Sequence, residues 1–152
     1  MTEQRLVATL EKLPPSVNKL YTLATKRAGK KVVAFQKRSI AANKYITWAS
    51  TELAKQWGLS PIKLEPNSPH ELTLIFYFPK IENSGWPKTK TRFKKKDGNN
   101  YIKLLEDIIA TACGVDDSAT FDTHVFKRLS TGKPRVEIVI SQIEEDILKD
   151  HE

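Results

Sequence analysis

Apolar and polar residues alternate in several short stretches of the chain, and a period of two is the pattern of β-strands. The strongest stretch is His70–Phe78, where leucine or phenylalanine occupies every second position from 72 to 78 and an isoleucine and a tyrosine stand between them. Because both faces of this stretch are partly apolar, it is predicted to lie inside a sheet. Further strands are predicted at residues 6–10, 21–26, 31–35, 121–129 and 135–140.

Two longer stretches have apolar residues every three to four positions, which predicts amphipathic helices over residues 39–57 and 99–113. Ser39 suits the N-cap of the first helix, and Ile40 is expected on its apolar stripe. A glycine follows each helix directly and is expected to end it.

The turn-forming segments between strands set the expected topology. Residues 27–30 predict a hairpin or an extended excursion between the strands on either side, and residues 130–134 predict an antiparallel pair formed by the last two strands. Helices and strands do not alternate strictly along the chain. We therefore predict an α+β fold, with a small mixed or antiparallel sheet and two main helices packed on one face of it.

Length and composition indicate one domain over residues 1–152, with residues 141–152 as an acidic tail that is a short helix or frayed. The net charge of +7 favours polyanionic partners, although basic proteins of other classes share it. A single cysteine, Cys113, excludes a disulfide framework and a cysteine-based zinc site. The longest apolar run, residues 74–78, is too short to cross a membrane, and the N-terminus has no signal-peptide core, so a cytoplasmic protein without a membrane partner is expected.

Acidic residues stand at both ends of the second predicted helix. Asp97 lies just before the helix, Asp116 and Asp117 lie just after it, and Lys103 is on its polar face. Carboxylates that hold a divalent cation beside a lysine that binds phosphate are suited to phosphodiester hydrolysis. A helix of 15 residues is roughly 22 Å long, so these acids form one site only if the chain reverses after Gly114 or the helix is shorter.

A basic loop at residues 79–96 precedes this helix. Its candidate DNA-binding residues are Lys88, Lys90, Arg92, Lys94, Lys95 and Lys96. On its own such a loop is a mobile solvated face, but Trp86 and Phe93 interrupt the charge and are suited to base stacking. Taken singly, the acids also have an ordinary explanation as turn residues, and Lys103 as a surface lysine.

Together these residues resemble the RusA family of Holliday junction resolvases, dimeric endonucleases common in phages and prophages. The family signature is Asp-x-Asp-Asn-x-x-Lys, an Asp four residues later, and Asp-Asp after the helix. The corresponding positions here are Asp97, Asn99, Asn100, Lys103, Asp107, Asp116 and Asp117. The segment Pro-Pro-Ser-Val-Asn at residues 14–18 resembles the family's opening, and the order of elements is similar over residues 6–140.

The resemblance implies a RusA-like fold and a role for each matched residue. It implies that Asp97 and Asp117 bind Mg²⁺, or Mn²⁺ in its place, with Asp116 close by. It implies that Lys103 acts at the scissile phosphate and that Asn100 helps to shape the site. It further implies a homodimer that resolves four-way junction DNA by paired nicks, in the bacterial host cell of a phage or prophage.

One departure from the signature divides the functional hypotheses. Asn99 stands where the family has a second aspartate, which removes one negative charge from the metal site. The first hypothesis is a Mg²⁺-dependent endonuclease with Asp97, Asn99 and Asp117 as metal ligands. The second is a four-way-junction or duplex DNA binder that does not cleave, and a third is an RNA-binding accessory protein that uses the basic loop.

Overall fold

The computed structural model of the chain describes residues 4–15, 21–94, 99–144 and 148. The predicted α+β fold is confirmed, with two helices, a four-stranded mixed sheet and a separate two-stranded sheet. The elements are β1 (Arg5–Leu10), β2 (Tyr21–Ala28), β3 (Lys31–Arg38), α1 (Ile40–Gly58), β4 (His70–Phe78), α2 (Asn99–Cys113), a 3₁₀ turn (Asp117–Ala119), β5 (Thr120–Leu129) and β6 (Arg135–Gln142).

The main sheet has the strand order β1-β6-β4-β5. The prediction that β4 lies inside the sheet is confirmed, since it pairs parallel with β5 and antiparallel with β6. The prediction that β5 and β6 pair with each other is wrong, because β4 lies between them. The chain leaves β5 across the end of β4, where the backbone N–H of Ser130 donates to the carbonyl of Phe78 at 2.8 Å. The segment that predicted a hairpin is therefore a crossover.

The hydrophobic core lies between the main sheet and the two helices. Leu104, Leu105, Ile108 and Ile109 of α2 are almost completely buried, as are the leucines of β4. On α1 the buried stripe comprises Ala42, Tyr45, Ala49, Leu53 and Trp57. The expectation that Ile40 joins this stripe is wrong, because it is the first helical residue and is 76% exposed.

The N-terminus of α1 follows the prediction, and its C-terminus differs by one residue. The hydroxyl of Ser39 accepts from the backbone N–H of Ala42 at 3.1 Å, which is N-cap geometry. The helix ends at Gly58 and its C-cap is Leu59, whose N–H donates to the carbonyl of Trp57. Glycine is tolerated in the last turn of a helix, so α1 extends one residue beyond its predicted end.

Side chains of α1 also close the outer edge of the main sheet at β1. The amide of Gln56 accepts from the N–H of Thr9 at 2.9 Å and donates to its carbonyl at 2.7 Å. The indole of Trp57 donates to the carbonyl of Val7 at 3.0 Å. Backbone groups that an edge strand would leave unpaired are thus bonded within the chain.

The strands β2 and β3 form the predicted hairpin, which is longer than expected and makes a sheet of its own. Gly29 adopts a φ of +63° at the first position of a two-residue turn, as a type II′ hairpin requires. We call this hairpin, residues 21–38, the ribbon.

The C-terminal boundary of the fold lies later than predicted. Ser141 and Gln142 were expected to begin the acidic tail, but they continue β6 and pair with Arg5 and His70, respectively. Ser141 is also buried. No helix within the described residues is both long and apolar enough to span a membrane.

Candidate functional site

The chain reverses sharply at the end of α2. Gly114 has a φ of +72°, and the N–H of Val115 donates to the carbonyl of Ala110 at 3.0 Å. This bond after a left-handed residue is the Schellman arrangement that ends many helices. Val115 is 4% exposed and anchors the turn in the core. The chain therefore turns back after Gly114, which is one of the two conditions under which acids at both ends of α2 could form one site.

The reversal brings acidic residues from two parts of the chain to one groove. Asp116 and Asp117 lie beside Asp107, which projects from the C-terminal half of α2. The groove has a volume of about 620 Å³, and its lining also includes Arg38, Asn67 and Thr111. We call it the acidic groove.

Asp116 is held in place by the 3₁₀ turn that follows it. Its Oδ1 atom accepts from the Ser118 hydroxyl at 2.6 Å and from the Ser118 backbone N–H at 2.9 Å. These two bonds, the hydroxyl bond first, lower the pKa of Asp116 below its ordinary value, and a bond with the Asp117 side chain adds to the effect. Asp116 is fully exposed and ionised at neutral pH, so it contributes a fixed anion to the groove.

A cation from β3 reaches the same groove. The Nη2 atom of Arg38 lies 3.4 Å from Oδ2 of Asp107, and both side chains are partly exposed. A surface pair of this kind contributes little to stability, on the order of 0–1 kcal/mol. Its consequence is positional, because it joins the base of the ribbon to the acidic groove. Arg38 was not among the predicted site residues, because it is 69 residues from its partner and no local pattern indicates the contact.

The other predicted site residues lie toward the start of α2. Lys103 is exposed, one helical turn before Asp107. Asn99 and Asn100 begin the helix, roughly 12 Å along its axis from Asp107. Their side chains and the whole of Asp97 are outside the described residues. The structure thus brings together Asp107, Asp116 and Asp117, and the convergence of Asp97 with Asp117 stays a prediction.

Comparison with protein families identifies the family to which the chain belongs. The family model described as endodeoxyribonuclease RusA matches residues 14–141, which include both helices, the acidic groove and the ribbon. The chain belongs to the RusA endodeoxyribonuclease family. A comparison with curated individual proteins finds no match. Family membership indicates a nuclease that hydrolyses DNA and acts in the resolution of Holliday junctions.

The donors of this RusA-family groove are of the kind that Mg²⁺ prefers, since carboxylate oxygens are its usual protein ligands. Within the described ranges, however, no three acidic, histidine or cysteine side chains are close enough to hold one metal ion. Asp116 and Asp117 are adjacent and Asp107 borders the same groove, so these three carboxylates are candidates for part of a ligand set. A complete set requires further donors, and Asp97 and Asn99 are the ones that the sequence predicts.

The basic loop that precedes α2 is held by hydrogen bonds over its described part, residues 79–94. The side-chain amide of Asn83 donates to the carbonyl of Thr91 at 2.8 Å, and its backbone N–H donates to the carbonyl of Arg92 at the same distance. The two sides of the loop also meet at an isolated bridge between Glu82 and Phe93. These bonds hold the two ends of the loop, residues 81–83 and 91–94, against each other.

Exposure differs among the predicted DNA-binding residues of the loop. Lys88 and Lys90 are exposed and Lys94 is half-buried, while Lys95 and Lys96 are outside the described residues. Arg92 is paired with Glu82 at 3.1 Å and lies over the ring of Phe93, 5.0 Å from its centroid. The aromatic side chains Trp86 and Phe93 are 40% and 54% exposed and so are accessible to a stacked base.

Proposed function

We propose that this RusA-family protein is a Mg²⁺-dependent endonuclease that resolves four-way DNA junctions by paired nicks, with Mn²⁺ able to replace Mg²⁺. The observation that carries the proposal is the acidic groove, in which Asp116 and Asp117 return to α2 after the Gly114 turn. Asp107 and the two acids that follow the turn thereby share one solvent-open surface. A phage or prophage origin, in the cytoplasm of a bacterial host, belongs to the same proposal and follows from the family resemblance alone.

In this proposal the metal ligands are Asp97, Asn99 and Asp117, with Asp116 beside them. A bound Mg²⁺ would supply Lewis-acid chemistry, activating a water molecule and stabilising the leaving oxygen. Asp116 is suited to a position beside a metal ion because its lowered pKa keeps the carboxylate ionised. Its bonds to Ser118 also restrict the movement of the carboxylate.

The basic side chains have separate roles in the proposed reaction. Lys103 is exposed on α2, one turn from Asp107, where its ammonium group can offset charge that develops on the phosphate. Asn100, in the first turn of α2, is proposed to shape the site. The basic residues of the loop are proposed to bind the phosphates of the junction arms. These residues are Lys88, Lys90, Arg92, Lys94, Lys95 and Lys96.

Paired nicks require two sites related by symmetry, and β5 offers a surface for a second copy of the chain. The outer edge of β1 is covered by Gln56 and Trp57, but β5 is exposed at every position from 121 to 129. Its exposed residues include Phe121 and Leu129, which are 51% and 55% accessible. β5 is also the last strand of the main sheet, and an exposed apolar strand at the end of a sheet favours pairing with another strand.

The sequence of β5 is compatible with antiparallel pairing to itself. If Val125 lies on a two-fold axis, Phe121 of one copy faces Leu129 of the other, and Asp122 faces Arg128. Apolar residues then meet apolar residues and opposite charges meet across the axis. This self-complementarity supports a homodimer built on β5.

The test of the proposed function is cleavage of a synthetic four-way junction by Asp117→Asn. The variant keeps the size of the side chain and removes its charge, so we expect Mg²⁺-dependent cleavage to be lost while junction binding in the absence of metal is retained. Glu11→Gln is the matched control, because it removes an exposed carboxylate that does not line the groove. Unchanged cleavage by a folded Asp117→Asn protein would overturn the assignment.

A second function is favoured by one observation, the amide at position 99. An amide oxygen is a weaker ligand for Mg²⁺ than a carboxylate, so the chain can be a junction binder that does not cleave. Cleavage assays with Mg²⁺ and with Mn²⁺ on the wild type and on Asn99→Asp discriminate the two functions. Activity in the wild type supports the nuclease, and activity restricted to Asn99→Asp supports the binder.

A further inference from the structure

The ribbon carries a large part of the positive charge of the chain. Its 18 residues contain six lysines and arginines and no acidic residue, in a protein whose net charge is +7. All six basic side chains are exposed, and they are Lys26, Arg27, Lys30, Lys31, Lys37 and Arg38. Only Arg38 forms an ion pair within the part of the chain that the structure describes. The other five positive charges are therefore exposed to a partner.

These charges are arranged in two groups along the ribbon. Four of them surround the turn at Gly29, where Ala28 pairs with Lys31, and the other two stand at the opposite end of β3. Strands of eight residues span roughly 26 Å, which exceeds the width of a DNA groove and is comparable to the diameter of a duplex. The spacing therefore allows the two groups to contact one duplex at separate places.

The base of the ribbon is fixed beside the acidic groove. Arg38 ends β3 and contacts Asp107, and the next residue, Ser39, is the buried N-cap of α1. The ribbon is otherwise a separate sheet that pairs with no strand of the main sheet. A duplex that lies along the ribbon is thus directed toward the acidic groove.

We propose that the ribbon is a second DNA-binding element, separate from the basic loop, that holds duplex DNA by its phosphates next to the acidic groove. The inference rests on the proposed function for one point only, that the duplex is an arm of a junction. Lysine and arginine side chains around a turn recognise the repeated negative charge of a backbone and carry little sequence information. The ribbon therefore positions DNA and does not select a sequence.

The experiment compares the wild type with a variant that carries Arg27→Gln, Lys30→Gln and Lys31→Gln. The matched control carries Lys44→Gln, Lys55→Gln and Lys63→Gln, which removes the same charge from exposed positions outside the ribbon. Fluorescence anisotropy without divalent metal measures the affinity of each protein for a four-way junction and for a linear duplex over a series of salt concentrations. Circular dichroism confirms that the proteins are folded, and light scattering measures their oligomeric state.

If the three substituted cations, Arg27, Lys30 and Lys31, each contact a phosphate, the slope of log K against log salt becomes smaller in the variant by up to about 2.7. At 0.1 M salt this corresponds to a loss of affinity of up to roughly 500-fold. The control variant is expected to lose much less. An equal loss in both variants, or an unchanged slope, would overturn the proposal, as would a change from dimer to monomer in the ribbon variant alone.

The two proposals can fail separately. If the wild type does not cleave junctions but the ribbon variant still loses affinity and slope, the ribbon binds DNA and the nuclease proposal fails. If Asp117-dependent cleavage is found but the ribbon variant binds like the control, the nuclease proposal stands and the ribbon has no part in DNA binding.

Discussion

Substitution of Gly114 tests whether the left-handed turn at the end of α2 positions Asp116 and Asp117. The added Cβ of Gly114→Ala would meet no atom within 4 Å, so its effect is conformational and not steric. A residue with a side chain at a φ of +72° costs about 1–2 kcal/mol relative to glycine. We expect the free energy of unfolding to fall by that amount and junction cleavage to fall with it, because the turn carries two acids of the groove.

Two comparison variants separate this cause from a general effect of glycine replacement. Gly114→Asn is expected to lose less stability, since asparagine adopts left-handed conformations more readily. The added Cβ of Gly58→Ala also meets no atom within 4 Å, and Gly58 lies in α1 without a positive φ. The free energy of unfolding of this variant is therefore expected to rise by about 0.5–1 kcal/mol. Urea denaturation measures all three variants. Equal stabilities for Gly114→Ala and the wild type would refute the reasoning.

Two further predictions concern the core and the proposed dimer. Burial lowers the pKa of His70 below its ordinary value of 6.5, so the unfolded chain binds a proton at pH values where the folded one does not. The free energy of unfolding should then decrease as the pH falls below 6.5, by at most about 1.4 kcal/mol per pH unit from this group. Denaturation of the wild type and of His70→Leu at pH 7 and pH 5 measures this decrease. The same pH dependence of stability in both proteins would contradict the prediction. Val125→Lys should convert the proposed dimer into a monomer, as measured by light scattering. Val7→Lys, on the covered edge of β1, should leave the oligomeric state unchanged. If the Val125→Lys protein is still a dimer, β5 is not the interface.

Local sequence patterns predicted the individual elements well. The bounds of α2, residues 99–113, are confirmed, and the C-terminal bound follows from Gly114, which supplies a conformation that other residues rarely adopt. The interior position of β4 is confirmed because both of its faces are partly apolar. In each case the determining information lies within a few residues of the element.

Features that depend on distant contacts were predicted wrongly or missed. Short turn-forming segments join strands that pair and strands that cross over, so residues 130–134 could not reveal that β4 separates β5 from β6. The contact between Arg38 and Asp107 joins the strand β3 to the helix α2, which are far apart in the chain, and no local pattern predicts it. Asp107 was predicted only as one position of the resembling motif, and its position in the groove depends on the turn at Gly114 and on Arg38.

The central claim is that Asp97 and Asp117 ligate the same metal ion, and a double-mutant cycle on metal binding tests it most directly. Electron paramagnetic resonance would measure the affinity for Mn²⁺ of the wild type, Asp97→Asn, Asp117→Asn and the double variant, all without DNA. Shared ligation predicts that each single variant binds weakly and that the double variant loses less binding free energy than the sum of the two. Wild-type affinity in either single variant, or strictly additive losses, would contradict the account.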